Sequence, residues 1–194
     1  MAVDKRQLVL ETALKLFSEN GFHATGIDKV QSESKVSKTT MYKYFKSKDD
    51  LILEVLKMRH EQFDGWMSER IDFHYAESFS TVPAGKLFAL FEALHEWFNC
   101  ETFCGCNFIN ACAEFTDDDH PVHKLSTEHK LNFAGFIKEV LEESGIPLEG
   151  NLALQICIVI DGAIVCAHTT CQKQAAKVGQ KMLKVLLDNQ CNMS

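Results

Sequence analysis

A short segment near the N-terminus concentrates side chains that could bind a polyanion. The sequence SKTTMYKYFKSKDD, residues 37–50, combines four lysines with hydroxyl groups and two tyrosines. Lysine ammonium and hydroxyl groups both donate to phosphate oxygens. The segment therefore favours a negatively charged partner, and a solvated lysine face is the alternative.

The charge of the chain is divided unevenly, which supports the interpretation that the basic segment has a negatively charged partner. Residues 1–48 carry nine Lys or Arg against five Asp or Glu, whereas the rest carries eleven against 22, within a net charge of −7. A basic segment attached to an acidic body indicates a polyanion partner for that end only.

Four cysteines form a second group with possible chemistry, Cys100, Cys104, Cys106 and Cys112. Their spacing, C-x3-C-x-C-x5-C, matches no common zinc module. They can be small hydrophobic residues that pack a helix, a thiol sensor, or a metal site. Cys106 is the candidate sensor, because it falls near the start of a predicted helix, where the helix dipole lowers a thiol pKa.

Other motifs predict neither an enzyme nor a cofactor. Residues 117–123, DDDHPVH, could hold a metal, but an aspartate before His-Pro more simply begins a helix, so no metal is predicted. Phosphate-binding glycine loops, the H-E-x-x-H motif and the G-x-S-x-G motif are missing from the sequence.

Composition predicts a cytoplasmic protein with no membrane partner. The N-terminus carries no signal-like apolar region, and eight cysteines then indicate a reducing compartment. The longest apolar run, residues 152–167, has sixteen residues and includes Gln155 and Asp161, which argues against a membrane span.

The elements that would position the basic segment are short helices. Leu10, Ala13, Leu14 and Phe17 predict one buried helix stripe, which Asp4 and Gln7 can cap and Asn20-Gly21 ends. Thr25 with Asp28 predicts the start of a second helix. Ser37 predicts the start of a third helix, with Met41 and Phe45 facing inward, and Ser47 with Asp50 forms a capping box for a fourth. Two short helices braced by a leading helix are typical of a helix-turn-helix unit.

Beyond residue 48 the periodicity predicts only helices, near residues 48–71, 83–99, 105–115, 120–144, 150–171 and 173–189. The predicted fold class is all-α, with an N-terminal three-helix helix-turn-helix domain and a C-terminal helical domain for ligand binding and dimerisation.

The run ALKLFSENGFHATGIDKVQSESKVSKTTMYKYFKSKDDLI, residues 13–52, resembles the DNA-binding domain of TetR-type (TetR/AcrR) transcriptional regulators. CGCNFINACAEF, DDDHPVHKL and IDGAIVCA resemble later helices of that family more weakly. Ser34-Lys35 stands where the family usually has Ala-Gly, and Lys46 stands where proline is common. If Lys35 has a positive φ, its backbone is strained.

The resemblance implies a DNA-binding domain over residues 1–47 and a ligand-binding and dimerisation domain over residues 48–194. Thr25, Tyr42 and Lys48 match positions that contact the DNA backbone. Lys38, Thr39, Thr40 and Tyr44 would read base edges, since threonine methyls suit thymine and lysine suits guanine. Packing of the two tyrosines on the first helix is the alternative.

The resemblance also implies a small-molecule inducer of unknown identity and a homodimer. Aromatic residues at helical spacing would form either a ligand pocket or plain core; the pocket candidates are Phe63, Trp66, Phe91, Cys106, Asn110 and Phe133. Small residues near the C-terminus allow close helix packing, within the chain or across a four-helix dimer interface. The interface candidates are Gly162, Ala163, Cys166, Ala175, Gly179 and Met182.

The sequence therefore predicts a dimeric, ligand-responsive repressor that binds a pseudo-palindromic double-stranded DNA operator. Two alternatives stay open. One is a cytosolic thiol-redox or metal-responsive protein that uses the segment from Cys100 to Cys112, and the other is a constitutive DNA-binding protein with a filled core.

Overall fold

The computed structural model describes residues 4–191, and over that range it is all-α, as predicted, with no strand. The same range includes a π-helical turn at Tyr75–Phe79 and a 3-10 turn at Glu149–Asn151. The helices are α1 Lys5–Asn20, α2 Ile27–Ser34, α3 Lys38–Tyr44, α4 Lys48–His74, α5 Gly85–Asn99, α6 Asn107–Glu114, α7 Pro121–Glu143, α8 Leu152–Thr169 and α9 Ala175–Cys191.

The chain forms two compact units. The first contains the chain up to Phe63 together with Cys106–Lys130, and the second contains Asp64–Gly105 together with the chain from Leu131 onward. The predicted boundary at residues 47 and 48 coincides with the start of α4. As a division between DNA-binding and ligand-binding functions, that boundary stays a prediction.

Helix α1 forms the centre of the helix-turn-helix unit. The Asp4 carboxylate accepts hydrogen bonds from the amides of Arg6 and Gln7, as its predicted capping role requires. The stripe that includes Leu10, Ala13 and Phe17 is buried, and α1 packs against both α2 and α3. The 3.6-residue period of the sequence therefore becomes the core of this unit.

The predicted cap of α2 is wrong. Gly26 occupies the position before the helix and provides no side-chain cap. The Thr25 side chain is fully buried instead, and its hydroxyl donates to the carbonyl oxygen of Gly21 at 2.8 Å. Thr25 thus stabilises the turn after α1 by bonding to a residue earlier in the chain. The capping rule considers only bonds from a side chain to amides later in the chain, so it does not predict this one.

The starts of α3 and α4 follow the predicted chemistry more closely. The Ser37 hydroxyl accepts from the amide of Thr40, and the Ser47 hydroxyl accepts from the amide of Asp50 at 3.0 Å. The capping box is only half formed, because the Asp50 carboxylate accepts from the amide of Lys46. Met41 and Phe45 are buried, as expected.

In the second unit, α5, α8 and α9 pack against one another. Gly179 on α9 allows this packing, because a Cβ there would lie 2.5 Å from the ring of Phe91 on α5. Phe91 is itself fully buried. Any larger residue at position 179 would push α9 away from α5.

The second unit also contains the most apolar part of the chain. The segment Glu149–Thr169 has 21 residues with a mean hydropathy of 1.8, so by length and composition it is long enough to cross a membrane. This exceeds the sixteen-residue run identified in the sequence. Core helices of water-soluble proteins have the same properties, and α8 is packed against α9 and α5.

Candidate nucleic-acid interface

The turn between α2 and α3 is tight because Lys35 adopts a left-handed conformation, with φ 56° and ψ 20°. The sequence predicted strain at this position, and a left-handed lysine costs about 1–2 kcal/mol relative to a right-handed one. Val36 follows and is buried, so the turn is fixed to the core on its inner side. The outcome is a short α3 that directs a fixed set of side chains outward.

Helix α3 displays most of the residues predicted to read base edges. Lys38 and Thr39 are exposed, Tyr44 has 44% of its surface exposed, and Thr40 is partly exposed. The Thr40 hydroxyl lies 2.9 Å from that of Ser37, so its hydroxyl takes part in the helix cap. Thr40 would therefore offer a base its methyl group rather than its hydroxyl.

Lys38 is held in place by α2. Its ammonium group donates to Asp28 at 2.7 Å, and this hydrogen bond raises the pKa of Lys38. Asp28 appeared in the sequence as a helix-start residue, not as a partner of the recognition helix. A base contact by Lys38 would have to exchange this exposed ion pair for a base acceptor.

The residues predicted to contact the DNA backbone are in three different environments. Tyr42 is 44% exposed on α3. Lys48, in the first turn of α4, donates to the carbonyl oxygen of His23 at 3.1 Å, which holds its charge beside the loop between α1 and α2. Thr25 is buried, so its side chain cannot reach a phosphate, and a DNA contact at this position would have to use the main chain.

Helix α6 supports the helix-turn-helix unit through a carboxylate whose role was not predicted from the sequence. Glu114 accepts hydrogen bonds from the amides of Phe22 at 2.8 Å and His23 at 2.6 Å, and from the His23 ring at 3.1 Å. Burial alone would raise the pKa of Glu114, but these hydrogen bonds outweigh it and lower the pKa. No sequence signal connects residues 92 positions apart.

A second polar contact joins α6 directly to α1. The amide nitrogen of Asn107, at the start of α6, donates to the Ser18 hydroxyl on α1 at 2.8 Å. Asn107 is buried. Both ends of α6 are therefore attached to α1 or to the loop that follows it.

The six predicted pocket residues are divided between the two units, so the predicted pocket stays a prediction. Phe91 is fully buried against Gly179, and its assignment to a pocket wall stays a prediction. Phe63, Cys106 and Asn110 belong to the first unit, and Trp66, Phe91 and Phe133 belong to the second.

Within the cysteine cluster, the predicted sensor residue Cys106 is less accessible than Cys100. Cys106 precedes α6 at the cap position, as predicted, but its side chain is buried. Cys100 is exposed, and a hydrogen bond with the Thr102 hydroxyl lowers the pKa of its thiol. Burial raises the pKa of Cys112. Cys100 is therefore the most accessible of these three thiols, and the pKa of its thiol is lowered whereas that of Cys112 is raised.

The predicted dimer residues divide into two groups. Gly162, Cys166 and Met182 are exposed, whereas Ala163, Ala175 and Gly179 are buried within the chain. The second group is a correction, because small residues also serve packing within one chain. An open apolar groove of about 490 Å³ lies between α8 and α9 and includes Ile158, Val178, Met182 and Val185.

Known proteins share both the N-terminal unit and the fold. Residues 9–55 match the family model described as "Bacterial regulatory proteins, tetR family". The HTH-type transcriptional regulator YjdC of Escherichia coli (strain K12) is 26% identical over 160 residues, which cover 82% of this chain and 81% of YjdC. YuxN of Bacillus subtilis (strain 168), a regulator of the same type, is 39% identical over 160 residues, which cover 82% of this chain and 52% of YuxN.

Solved structures of other proteins share the fold over nearly the whole chain. A TetR-family transcriptional regulator from Streptomyces coelicolor superposes with a TM-score of 0.84 at 25% identity, covering 95% of each chain. FadR from Bacillus subtilis, solved in complex with stearoyl-CoA, has a TM-score of 0.71 at 20% identity, covering 93% of this chain and 97% of FadR.

A helix-turn-helix unit with an exposed recognition helix, attached to a larger helical body, defines a DNA-binding transcriptional regulator. The matches agree with this class: residues 9–55 carry the N-terminal domain of the tetR-family model, and the described part of the chain has the fold of TetR-family transcriptional regulators.

Proposed function

We propose that this chain is a ligand-responsive repressor that binds a pseudo-palindromic operator as a homodimer. The observation that carries the proposal is the exposed face of α3, where Lys38, Thr39, Tyr42 and Tyr44 all face solvent. Basic side chains interleaved with exposed tyrosines on one short helix form a surface suited to a polyanion that also offers ring faces and hydrogen-bonding edges. Double-stranded DNA suits both their charge and their hydrogen-bonding groups.

Each α3 would read one half-site from the major groove. Lys38, Thr39, Thr40 and Tyr44 would contact base edges, and Tyr42 and Lys48 would position the helix on phosphates. The main chain at Thr25 would add a phosphate contact. The basic charge of residues 1–48 would increase the association rate with DNA, while the acidic remainder would be repelled from it.

The dimer would form through the outer faces of α8 and α9. Six apolar residues are exposed there, on two helices that already pack side by side. A second copy that presents the same face would bury them in a four-helix bundle. The residues are Leu154, Ile158, Val165, Val178, Met182 and Val185.

Ligand response would reach the DNA-binding unit through α6 and α4. Glu114 and Asn107 attach α6 to α1 and its following loop, and Lys48 attaches the start of α4 to that same loop. A ligand that shifts either helix would therefore move α3 relative to its partner in the dimer. Because both half-sites must be read together, a small shift would release the operator.

The experiment that tests this function is selection of duplexes from random DNA, followed by a screen for compounds that release the selected site. The proposal expects a two-fold symmetric site and at least one small molecule that weakens its binding. Enrichment of no sequence after repeated selection at moderate salt would contradict operator binding.

A further inference from the structure

Asp28 on α2 and Lys38 on α3 place opposite charges side by side on the surface of the helix-turn-helix unit. The Lys38 ammonium group donates to a carboxylate oxygen of Asp28 at 2.7 Å. Both side chains are open to solvent, with 55% of the Lys38 side chain and 81% of the Asp28 side chain exposed. The pair is therefore accessible to a partner that approaches the start of α3.

The main chain brings these two residues together at the end of α3 that matters for recognition. Lys38 is the first residue of α3, and Asp28 lies in the first turn of α2, which packs against α3. Val30 on α2 and Val36 in the turn are buried, so both helices are fixed to the core. In helix-turn-helix proteins the N-terminal residues of the recognition helix contact base edges. Asp28 therefore lies beside a residue that is expected to reach the bases.

Neither folding nor general attraction to DNA accounts for a carboxylate at this place. An exposed ion pair contributes little to stability, because water screens both charges. Asp28 is one of five acidic residues among residues 1–48, which carry nine basic ones, and its charge is repelled by phosphates. A carboxylate beside the recognition helix thus favours a role in reading sequence.

Together the two groups complement the edge of one base pair. In the major groove a G·C pair presents two acceptors, guanine N7 and O6, followed by a donor, the amino group at cytosine N4. Lysine donates to the guanine acceptors, and aspartate accepts from cytosine N4. An A·T pair places its donor between two separated acceptors, so it offers a lysine and a neighbouring aspartate one acceptor fewer.

We propose that Asp28 is a base-reading residue and that Asp28 and Lys38 together recognise one G·C base pair in each half-site, an inference that rests on the proposed function. On binding, Lys38 leaves Asp28 and donates to guanine O6 and N7. Asp28 then accepts from the N4 amino group of the paired cytosine. Each charge gains a hydrogen-bonding partner for the one it gives up, and this exchange is complete only at a G·C pair in one orientation.

The pair also reduces binding to DNA of other sequences. On such DNA the two side chains stay bonded to each other, so Lys38 adds no net charge toward the phosphates. Without Asp28, Lys38 is free to contact a phosphate in any sequence. Loss of this acidic residue should therefore strengthen non-specific binding while it weakens discrimination at one base pair.

The test is fluorescence anisotropy of the full chain with its selected duplex and with duplexes in which each base pair of the half-site is replaced in turn. In the wild type, one G·C pair is expected whose replacement by A·T weakens binding at least about 10-fold. Asp28→Ala should reduce that ratio at least about 3-fold, leave the ratios at other positions unchanged, and make the salt slope on random DNA steeper by about one unit. Lys38→Met should reduce the ratio at the same base pair.

Two further variants distinguish base reading from a change in net charge or in structure. Glu33→Ala removes an acidic charge from another exposed position on α2, so it should strengthen binding to random DNA without changing any base-pair ratio. Asp28→Glu keeps a carboxylate that can accept from cytosine N4, and it should restore most of the discrimination that Asp28→Ala loses. Circular dichroism checks that every variant is folded.

Three results would overturn the inference while the proposed function stands. They are unchanged ratios at every base pair in Asp28→Ala, a loss at a base pair different from the one that Lys38→Met affects, and an A·T pair at the shared position. A loss in Asp28→Ala that Glu33→Ala reproduces would overturn it as well. A wild-type protein that selects no operator contradicts the proposed function itself, and the inference falls with it.

Discussion

The carboxylate of Glu114 accepts hydrogen bonds from the main-chain amides of Phe22, at 2.8 Å, and His23, at 2.6 Å. The contact joins the last residue of α6 to the loop after α1. In this way a helix of the C-terminal half becomes part of the support for the DNA-binding unit. The contact has consequences for stability, for its pH dependence and for ligand response.

Glu114→Gln should destabilise the protein by about 1–2 kcal/mol, because a neutral amide accepts main-chain hydrogen bonds less strongly than a carboxylate. The folded-state pKa of Glu114 is below its ordinary value. Its contribution is therefore complete above about pH 5 and is lost as the pH falls through the folded-state pKa. In urea denaturation between pH 3 and pH 7, the free energy of unfolding of Glu114→Gln should fall less steeply toward acid pH than that of the wild type.

The control for this experiment is Glu139→Gln, at an exposed position on α7. It should follow the wild-type acid profile. If Glu114→Gln and Glu139→Gln have the same profile, the Glu114 contact adds no pH-dependent stability.

Lys35→Gly should stabilise the protein by about 0.5–1 kcal/mol, because glycine adopts the left-handed conformation without a Cβ penalty. The matched control is Lys29→Gly, which removes the same charge from the interior of α2 and should cost about 1 kcal/mol. Thermal and urea unfolding of both variants measure the effect. A loss of stability in Lys35→Gly comparable to that in Lys29→Gly would refute a strained turn.

Ile158→Asp should break the dimer, because it places a charge in the lining of the apolar groove between α8 and α9. A loss of at least about 2 kcal/mol, or about 30-fold in dimer affinity, is expected. Gly162→Leu should also weaken the dimer, by wedging the exposed face of α8 away from the partner. Sedimentation equilibrium measures both.

Leu131→Asp is the control for the dimer variants. Leu131 is 67% exposed on α7 and lies outside the groove. The substitution should leave the dimer intact. A dimer that survives Ile158→Asp, or is lost equally in Leu131→Asp, would locate the interface elsewhere.

Lys48→Ala should weaken binding to all DNA sequences alike and reduce the salt dependence by about one unit of slope, because Lys48 would contact a phosphate. Thr40→Ala should instead change the preference at one position of each half-site. Fluorescence anisotropy with selected and mutated duplexes, over a range of salt concentrations, separates the two effects. A sequence-dependent loss in Lys48→Ala would contradict its assignment to the backbone.

Local chemistry predicted most of the helix starts and ends correctly. Asp4, Ser37 and Ser47 each cap the helix that follows, because a hydroxyl or carboxylate satisfies an amide two or three residues away. The buried stripe of α1 follows from its 3.6-residue period. The π-helical turn at residues 75–79 was not predicted, since no local signal distinguishes it from the end of α4.

Interactions between distant residues could not be predicted from one sequence. Small residues at i, i+4 spacing indicated close helix packing, but Gly179 packs against Phe91 of its own chain, while Gly162 is exposed. The pairing of His60 with His129 joins residues 69 positions apart. Such contacts depend on how helices cross, which periodicity does not determine.

The central claim, that α3 reads a specific operator, is tested most directly by one comparison of affinities. The wild-type dimer is titrated with its selected duplex and with a scrambled duplex of equal length and composition, at 150 mM salt. A preference of at least about 1,000-fold is expected, and the double variant Thr39→Ala, Tyr44→Ala should lose most of it while keeping the non-specific affinity. Equal affinity of the wild type for the two duplexes would contradict the claim.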